Sequence, residues 1–184
     1  MSTSEATVTV PTGTWEIDPV HTNVGFSARH LMVAKVRGRF TSFSGTINVA
    51  DDPSRSTDAL TIDTASIDTR DDNRDAHLKS PDFLDVEKWP TMTFTSTAVH
   101  YSGGENFEVH GDLTIKGVTR PVRLRAEFNG VQQDPWGGTR GGFEARTEFS
   151  RKEFGLEWNA PLDGGGVVVG DKVTVELEVE AVKQ

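Results

Sequence analysis

Apolar and polar residues alternate with a period of two over most of the chain. The clearest run is KVTVELEVEAVKQ, where Val173, Val175, Leu177 and Val179 alternate with Thr174, Glu176, Glu178 and Glu180. Side chains two apart share one face of a strand, so this segment is expected to bury one face and wet the other. The rhythm recurs in Val24, Phe26 and Ala28; in Val36, Gly38 and Phe40; and, with the parity shifted, in Phe43, Gly45, Ile47 and Val49. That shift predicts a bulge or bend near Thr41 and Ser42 that keeps the same face inward. Met92, Phe94 and Ala98 continue the series. Then come Phe107, Val109, Leu113 and Ile115; Val122, Leu124, Ala126 and Phe128; and Phe143, Ala145 and Phe149. Turn signals separate the runs at Asp51-Asp52-Pro53, Ser102-Gly103-Gly104, Lys116-Gly117, Asp134-Pro135 and Asp163-Gly164-Gly165-Gly166.

About eight strands joined mostly by short connections predict an antiparallel meander. Closing such a sheet into a barrel hides both its edges and its apolar face. A barrel of that size is filled by side chains or holds one small ligand. The inward set mixes Phe with Gly, Ala, Ser and Thr. That mixture is compatible with an interior space and equally with interdigitated packing.

One stretch breaks the strand pattern. Thr69 to Ser80 reads as a helix, with Thr69 as N-cap, Asp71 and Asp72 in the first turn, Ala76 and Leu78 facing inward, and Pro81 as the stop. The charges then form its solvated face. The segment lacks the central glycine and distal glutamate of a calcium loop. It offers a single histidine toward zinc.

Composition narrows the classes. The 184 residues suit one domain. A first segment, 1–13, is expected to be flexible and to precede a barrel domain over 14–184. The net charge of −9 argues against nucleic acid and gives no general attraction to anionic lipid. The absence of cysteine removes disulfides, thiol catalysis and thiolate ligands. No apolar run approaches the ~20 residues of a membrane span. MSTSEATVTVPTG has neither the basic nor the apolar region of a signal peptide, so the expected location is the cytoplasm.

Four separated stretches carry a family resemblance. They are WEIDPVHTNVGFSARHLMVAKVRGRF, SIDTRDDNRDAHLKSPDFLDVEKWPTMTF, GDLTIKGVTRPVRLRAEF and FSRKEFGLEWN, followed by the terminal GDKVTVELEVEA. Together they resemble the YceI-like family of polyisoprenoid-binding, lipocalin-like proteins over about residues 14 to 182. Glu153 stands where Asp is common in that pattern. The fold this implies is all-β: an extended antiparallel eight-stranded lipocalin-like barrel with one short helix capping an end. Many members carry a secretion signal, which this chain does not show.

Catalytic groupings are scarce. The chain has no G-x-S-x-G elbow, H-E-x-x-H, P-loop or G-x-G-x-x-G. His21 and His30 stand nine residues apart, roughly 30 Å along a straight strand, and cannot share a metal unless the chain folds back. Arg29, Lys35, Arg37 and Arg39 form the one basic concentration, either an outer wet face or a cationic site for an anionic head group. The leading expectation is non-enzymatic binding or transport of a long apolar or amphiphilic lipid, an isoprenoid by resemblance. Phe26, His30, Phe40, Phe94, Leu113, Phe128, Phe143 and Phe149 are the candidate ligand-binding residues, with His21 and Arg37 as candidate head-group contacts. No cofactor, metal or catalytic residue is expected, and a homodimer stays open. Two alternatives remain: a small-molecule enzyme using Asp18, His21, His30 and Arg37, and an interaction module with a solid barrel.

Overall fold

The period-two segments pair in chain order. The computed structural model describes residues 10–163 and 165–184. Residues 1–9, most of the segment expected to be flexible, lie outside the described residues, as does Gly164 of the 163–166 turn. The strands are β1 (Gly13–Ile17), β2 (Asn23–His30), β3 (Ala34–Phe40), β4 (Phe43–Val49), β5 (Thr57–Asp63), β6 (Ile67–Asp68), β7 (Thr91–Gly103), β8 (Asn106–Ile115), β9 (Val118–Gln133), β10 (Thr139–Ser150) and β11 (Val169–Lys183). The single α-helix among the described residues, α1, spans Asp72–Lys79.

Eight strands close a ring in the order β11, β1, β4, β5, β7, β8, β9, β10 and back to β11, all antiparallel. The other three segments lengthen the barrel at one end. There β2 pairs with β11 and β3, and β6 pairs with β3. Closure leaves no unpaired edge in the ring, which removes the usual route to sheet-to-sheet aggregation.

The predicted bend lies where the parity shift placed it. β3 ends at Phe40, paired with Ile67, and β4 begins at Phe43, paired with Ile62. Between them the backbone N–H of Thr41 donates to the carbonyl of Ser66 at 3.2 Å, so the bend keeps its hydrogen bond. Phe40 and Phe43 consequently both pack on the core cluster.

The two ends of the barrel are built differently. At one end Trp15 and Ala181 are fully buried and Phe128 nearly so. The Phe143 ring meets Trp15 edge-on at 6.4 Å and tilts against Phe128 at 5.2 Å. The Trp15 indole N–H donates to the Pro11 carbonyl at 3.1 Å, so the residues just before β1 are tied down. At the other end α1 and the segment after it bring Leu78, Phe83 and Leu84 over the interior.

The helix corrects two expectations. Its N-cap is Asp71, whose Oδ1 accepts the backbone N–H of Arg74 at 2.9 Å, and not Thr69. Thr69 is buried. Its backbone N–H donates to Asp75 at 2.9 Å, and the Arg74 guanidinium donates to its hydroxyl at 2.8 Å and its carbonyl at 2.7 Å. Ala76 is exposed while Leu78 faces inward. Two residues apart on a helix are about 200° apart around its axis, so both cannot face the barrel. His77 Nε2 lies 2.9 Å from an Asp82 carboxylate oxygen, and its ring packs edge-on to Phe83 and Trp158, a structural closure of the helix end.

Candidate functional site, an apolar lumen

The inward side chains do not fill the ring. They surround a cavity of about 760 Å³, within the size range of small-molecule sites. Its wall follows β7 from Met92 to Tyr101, nine residue steps or roughly 30 Å along the strand. Phe26, Phe40, Phe94, Leu113, Phe143 and Phe149 all line it.

Glycine explains how large rings coexist with an open interior. Phe26 pairs across the sheet with Gly38, and a side chain at Gly38 would collide with the Phe26 ring. Phe94 lies over Gly111 in the same way. The absence of a Cβ on the partner strand lets each ring lie against the wall instead of projecting into the middle.

Four sequence-derived candidates do not line the cavity. Phe128 has the inward parity, but it is packed behind Phe143 in the end plug. His30 also has the inward parity, yet it pairs with Ala34 and Val169 where β2 turns into β3, beyond Ala28, the last wall residue of that strand. Arg37 is exposed on the outer face of β3. His21 lies in the break between β1 and β2, with its side chain 56% exposed. Neither of the last two can meet a ligand's polar end inside the barrel.

His21 belongs to an outer ion network. Its Nδ1 lies 2.8 Å from Asp18, and Arg140 Nη1 donates to the same Asp18 oxygen at 2.8 Å. The hydrogen bond with His21, aided by that from Arg140, holds the Asp18 carboxyl down to about 2. Asp18, His21 and Glu180 bring one donor atom each within 4.8 Å of one another. Arg140 also lies 3.7 Å from Glu180 and 2.9 Å from Asp134, so a guanidinium already balances this cluster. The enzyme suspects Asp18, His21, His30 and Arg37 therefore do not converge; only the first two meet, and they meet outside the lumen.

Among the polar wall residues absent from the sequence-derived candidates, Asp58 and Arg151 are the ionisable ones that burial perturbs. Asp58 shares the inward parity of Leu60 and Ile62, a signal visible in TDALTID. Its backbone N–H donates to Ser96 Oγ at 2.7 Å, beside the bulge between Ser96 and Ala98 in β7. Its carboxyl has no ion-pair partner among the described residues, and burial alone pushes it up from 3.8 to about 6. Asp51, Asp52 and His100 line the same cavity. Arg151 is 3% exposed at the helix-capped end. Its guanidinium donates to the carbonyls of Leu156, Trp158, Gly170 and Val169 at 2.5, 2.9, 3.0 and 3.3 Å. Desolvation pulls its pKa down from the usual value, but arginine stays charged.

Asp58 gives a pH test. Its folded pKa lies above its unfolded one, so its contribution favours the fold below about pH 4 and is lost as pH rises through about 6. Asp58→Asn is expected to exceed the wild type in stability at pH 8 by roughly 1–3 kcal/mol, with the difference gone near pH 4. Urea unfolding at the two pH values measures it. A variant no more stable at pH 8 would place the carboxyl in water.

A closed antiparallel meander around an apolar lumen, capped by a short helix, defines the lipocalin-like class of barrels. The chain belongs to the YceI-like domain family, whose model matches residues 15–181. A UPF0312 protein of Vibrio cholerae is 38% identical over 169 residues, covering 89% of this chain and 83% of its own. The crystal structure of a Campylobacter jejuni YceI protein superposes with a TM-score of 0.71 at 31% identity, over 96% of this chain and 99% of that one. Two more distant structures share the fold. Burkholderia cenocepacia BcnA has a TM-score of 0.78 at 22% identity, over 89% and 98% of the two chains. A polyisoprenoid binding domain from Saccharophagus degradans has a TM-score of 0.69 at 15% identity, over 92% and 98%.

Proposed function

We propose that this protein binds and carries one long-chain apolar or amphiphilic lipid, of the isoprenoid class, inside the barrel and without chemical change. The observation that carries this reading is the continuous apolar lumen of about 760 Å³. A solid-barrel module has no use for such a space, and the suspected catalytic groups do not meet in it. The polyisoprenoid-binding domain with the same fold supports the choice of ligand class.

The energetics favour a tail-dominated interaction. Each buried CH₂ is worth ~0.8 kcal/mol, so one five-carbon unit contributes on the order of 4 kcal/mol before costs. Ordering a flexible chain and giving up its free motion subtract from that sum. Affinity then comes from the tail. The buried wall cation has little left for a head group, because Arg151 commits four of its five N–H donors to backbone carbonyls. The wall carboxyl of Asp58 instead disfavours an anionic end within the lumen.

The test is native mass spectrometry of protein purified without detergent, followed by organic extraction and identification of what is released. The expected result is a mass increment of one lipid molecule that disappears on unfolding. In a companion variant, Gly38→Val, the new side chain drives the Phe26 ring off the wall and into the lumen. That variant is expected to retain its fold and lose the increment. Bare chain alone, with no uptake of added geranylgeraniol by the wild type, would remove the basis for a lipid carrier.

A further inference from the structure

We infer that the β2–β3 hairpin is a membrane-docking element that seats the protein on an anionic bilayer. The turn between these strands consists of Leu31, Met32 and Val33, which are 42%, 55% and 80% exposed. Met32 lies partly against the Gly166 loop, yet all three large apolar side chains at the hairpin tip stay open to water, which penalises their exposed surface. Leu31 and Met32 hold positive φ values of 52° and 64°. Bulky residues rarely adopt that conformation, and here it tightens the turn and presents the apolar residues at its apex.

Charge identifies the partner. Arg29 pairs directly across the hairpin with Lys35, and Arg37 and Arg39 follow at alternate positions of β3 on the same outer face. The hairpin is thus an apolar tip on a cationic stem, in a chain whose net charge is −9. Arg39 faces Asp68 at 3.6 Å, whereas Arg29, Lys35 and Arg37 are in no ion pair among the described residues. Two acids of β11 lie near the stem: Asp171, engaged by Arg151 at 3.8 Å and Lys152 at 3.4 Å, and Glu176, one strand beyond Arg39 across Gly25 and engaged by Arg146 at 3.0 Å. A local cationic patch of this kind acts within a Debye length of about 8 Å at physiological salt, so distant acidic residues do not cancel it. Anionic head groups meet the stem while the tip enters the acyl boundary.

A second exposed aromatic serves as contrast. Trp136 is 84% exposed in the β9–β10 turn, but its neighbourhood holds Asp134, whose oxygens take Arg140, and the Asp18 cluster beyond it. That surface is predominantly acidic, with Lys183, next to the Arg140–Val182 register pair, as a lone exposed cation outside any ion pair among the described residues. The docking element also lies close to the lumen. Ala28 and Val169 line the cavity, and His30 pairs with Val169 one residue before the tip begins.

The experiment is co-sedimentation of the full chain with vesicles of phosphatidylcholine containing about one third phosphatidylglycerol, against pure phosphatidylcholine vesicles. The wild type is expected to bind the anionic vesicles and to be released by high salt. Neutralising Arg29, Lys35 and Arg37 to Gln is expected to weaken binding about a hundredfold, since each surface cation is worth roughly a factor of five. The tip variant Leu31→Ser, Met32→Ser, Val33→Ser is expected to lose binding as well, while Trp136→Ser leaves it unchanged. Val33→Ser alone, at the most exposed position, guards against a folding defect and is expected to show a partial loss at an unchanged unfolding temperature. Equal binding to neutral vesicles, no binding to either, or full binding by the tip variant would each overturn the assignment.

Discussion

Replacing Arg151 with Met is expected to destabilise the protein by about 3–5 kcal/mol, the cost of breaking a buried charged network by removing one partner. Methionine has a similar reach and an apolar character suited to the lumen wall, so the loss is not one of volume. It arises because one guanidinium bonds four backbone carbonyls drawn from two segments: the irregular stretch after β10 at Leu156 and Trp158, and the first residues of β11 at Val169 and Gly170. Without it the carbonyls of Leu156, Trp158 and Gly170 lose this donor, while that of Val169 keeps the amide of Asn159 at 2.7 Å, and each unmet buried acceptor costs ~1–3 kcal/mol. Lysine at the same position is expected to recover only part of the loss, because a single ammonium cannot spread its donors in a planar fork across two segments. Guanidinium-chloride unfolding of wild type, Arg151→Met and Arg151→Lys provides the ranking. A methionine variant about as stable as wild type would mean that water replaces the guanidinium.

Two phenylalanine truncations are expected to behave differently. Phe154 is fully buried and meets Phe149 edge-on at 5.0 Å, so Phe154→Ala opens a new void and is expected to cost ~3–5 kcal/mol, whether or not lipid is present. Phe94 is part of the lumen wall, laid over Gly111. Removing its ring enlarges a space that already exists, and a bound chain occupies part of it. Phe94→Ala is therefore expected to cost less than Phe154→Ala in the lipid-bound form and to shift preference toward bulkier or longer chains. Phe40→Ala, which removes the partner of Phe26 at 5.5 Å, is expected to resemble Phe94→Ala. Thermal unfolding with and without a long-chain isoprenoid, together with competition between short and long chains, separates the two behaviours. Equal large losses at all three sites and an unchanged chain preference would make every one of these rings ordinary core.

Much of the fold is written in the alternation. Val173 to Val179 of β11, the shift at Thr41–Ser42 and the inward Phe series all lie where the period of two places them, because a strand with one wet face has a single way to orient its side chains. The same rule carries Phe26, Phe40, Phe94, Leu113, Phe143 and Phe149 to the lumen wall. Asp58 obeys it too, since it stands two residues before Leu60 and four before Ile62 in TDALTID.

Parity alone does not say how far along the barrel each residue falls. Phe128 and His30 have the inward phase but stand past the ends of the cavity, one within the Trp15 plug and the other at a hairpin tip. Depth is decided by strand stagger and by what closes each end, and both are long-range properties. Nor does the alternation distinguish a filled barrel from a hollow one. That difference rests on which glycine lies opposite which ring, Gly38 under Phe26 and Gly111 under Phe94. Such pairs form only when the strands come into register. The local pattern of apolar and polar residues thus settles the strands, their faces and the need for a closed sheet. Three features exist only in the assembled barrel, because each depends on partners brought together by strand pairing and end closure: the open interior, the commitment of Arg151 to backbone carbonyls, and the exposure of the apolar tip at Leu31–Val33 to solvent.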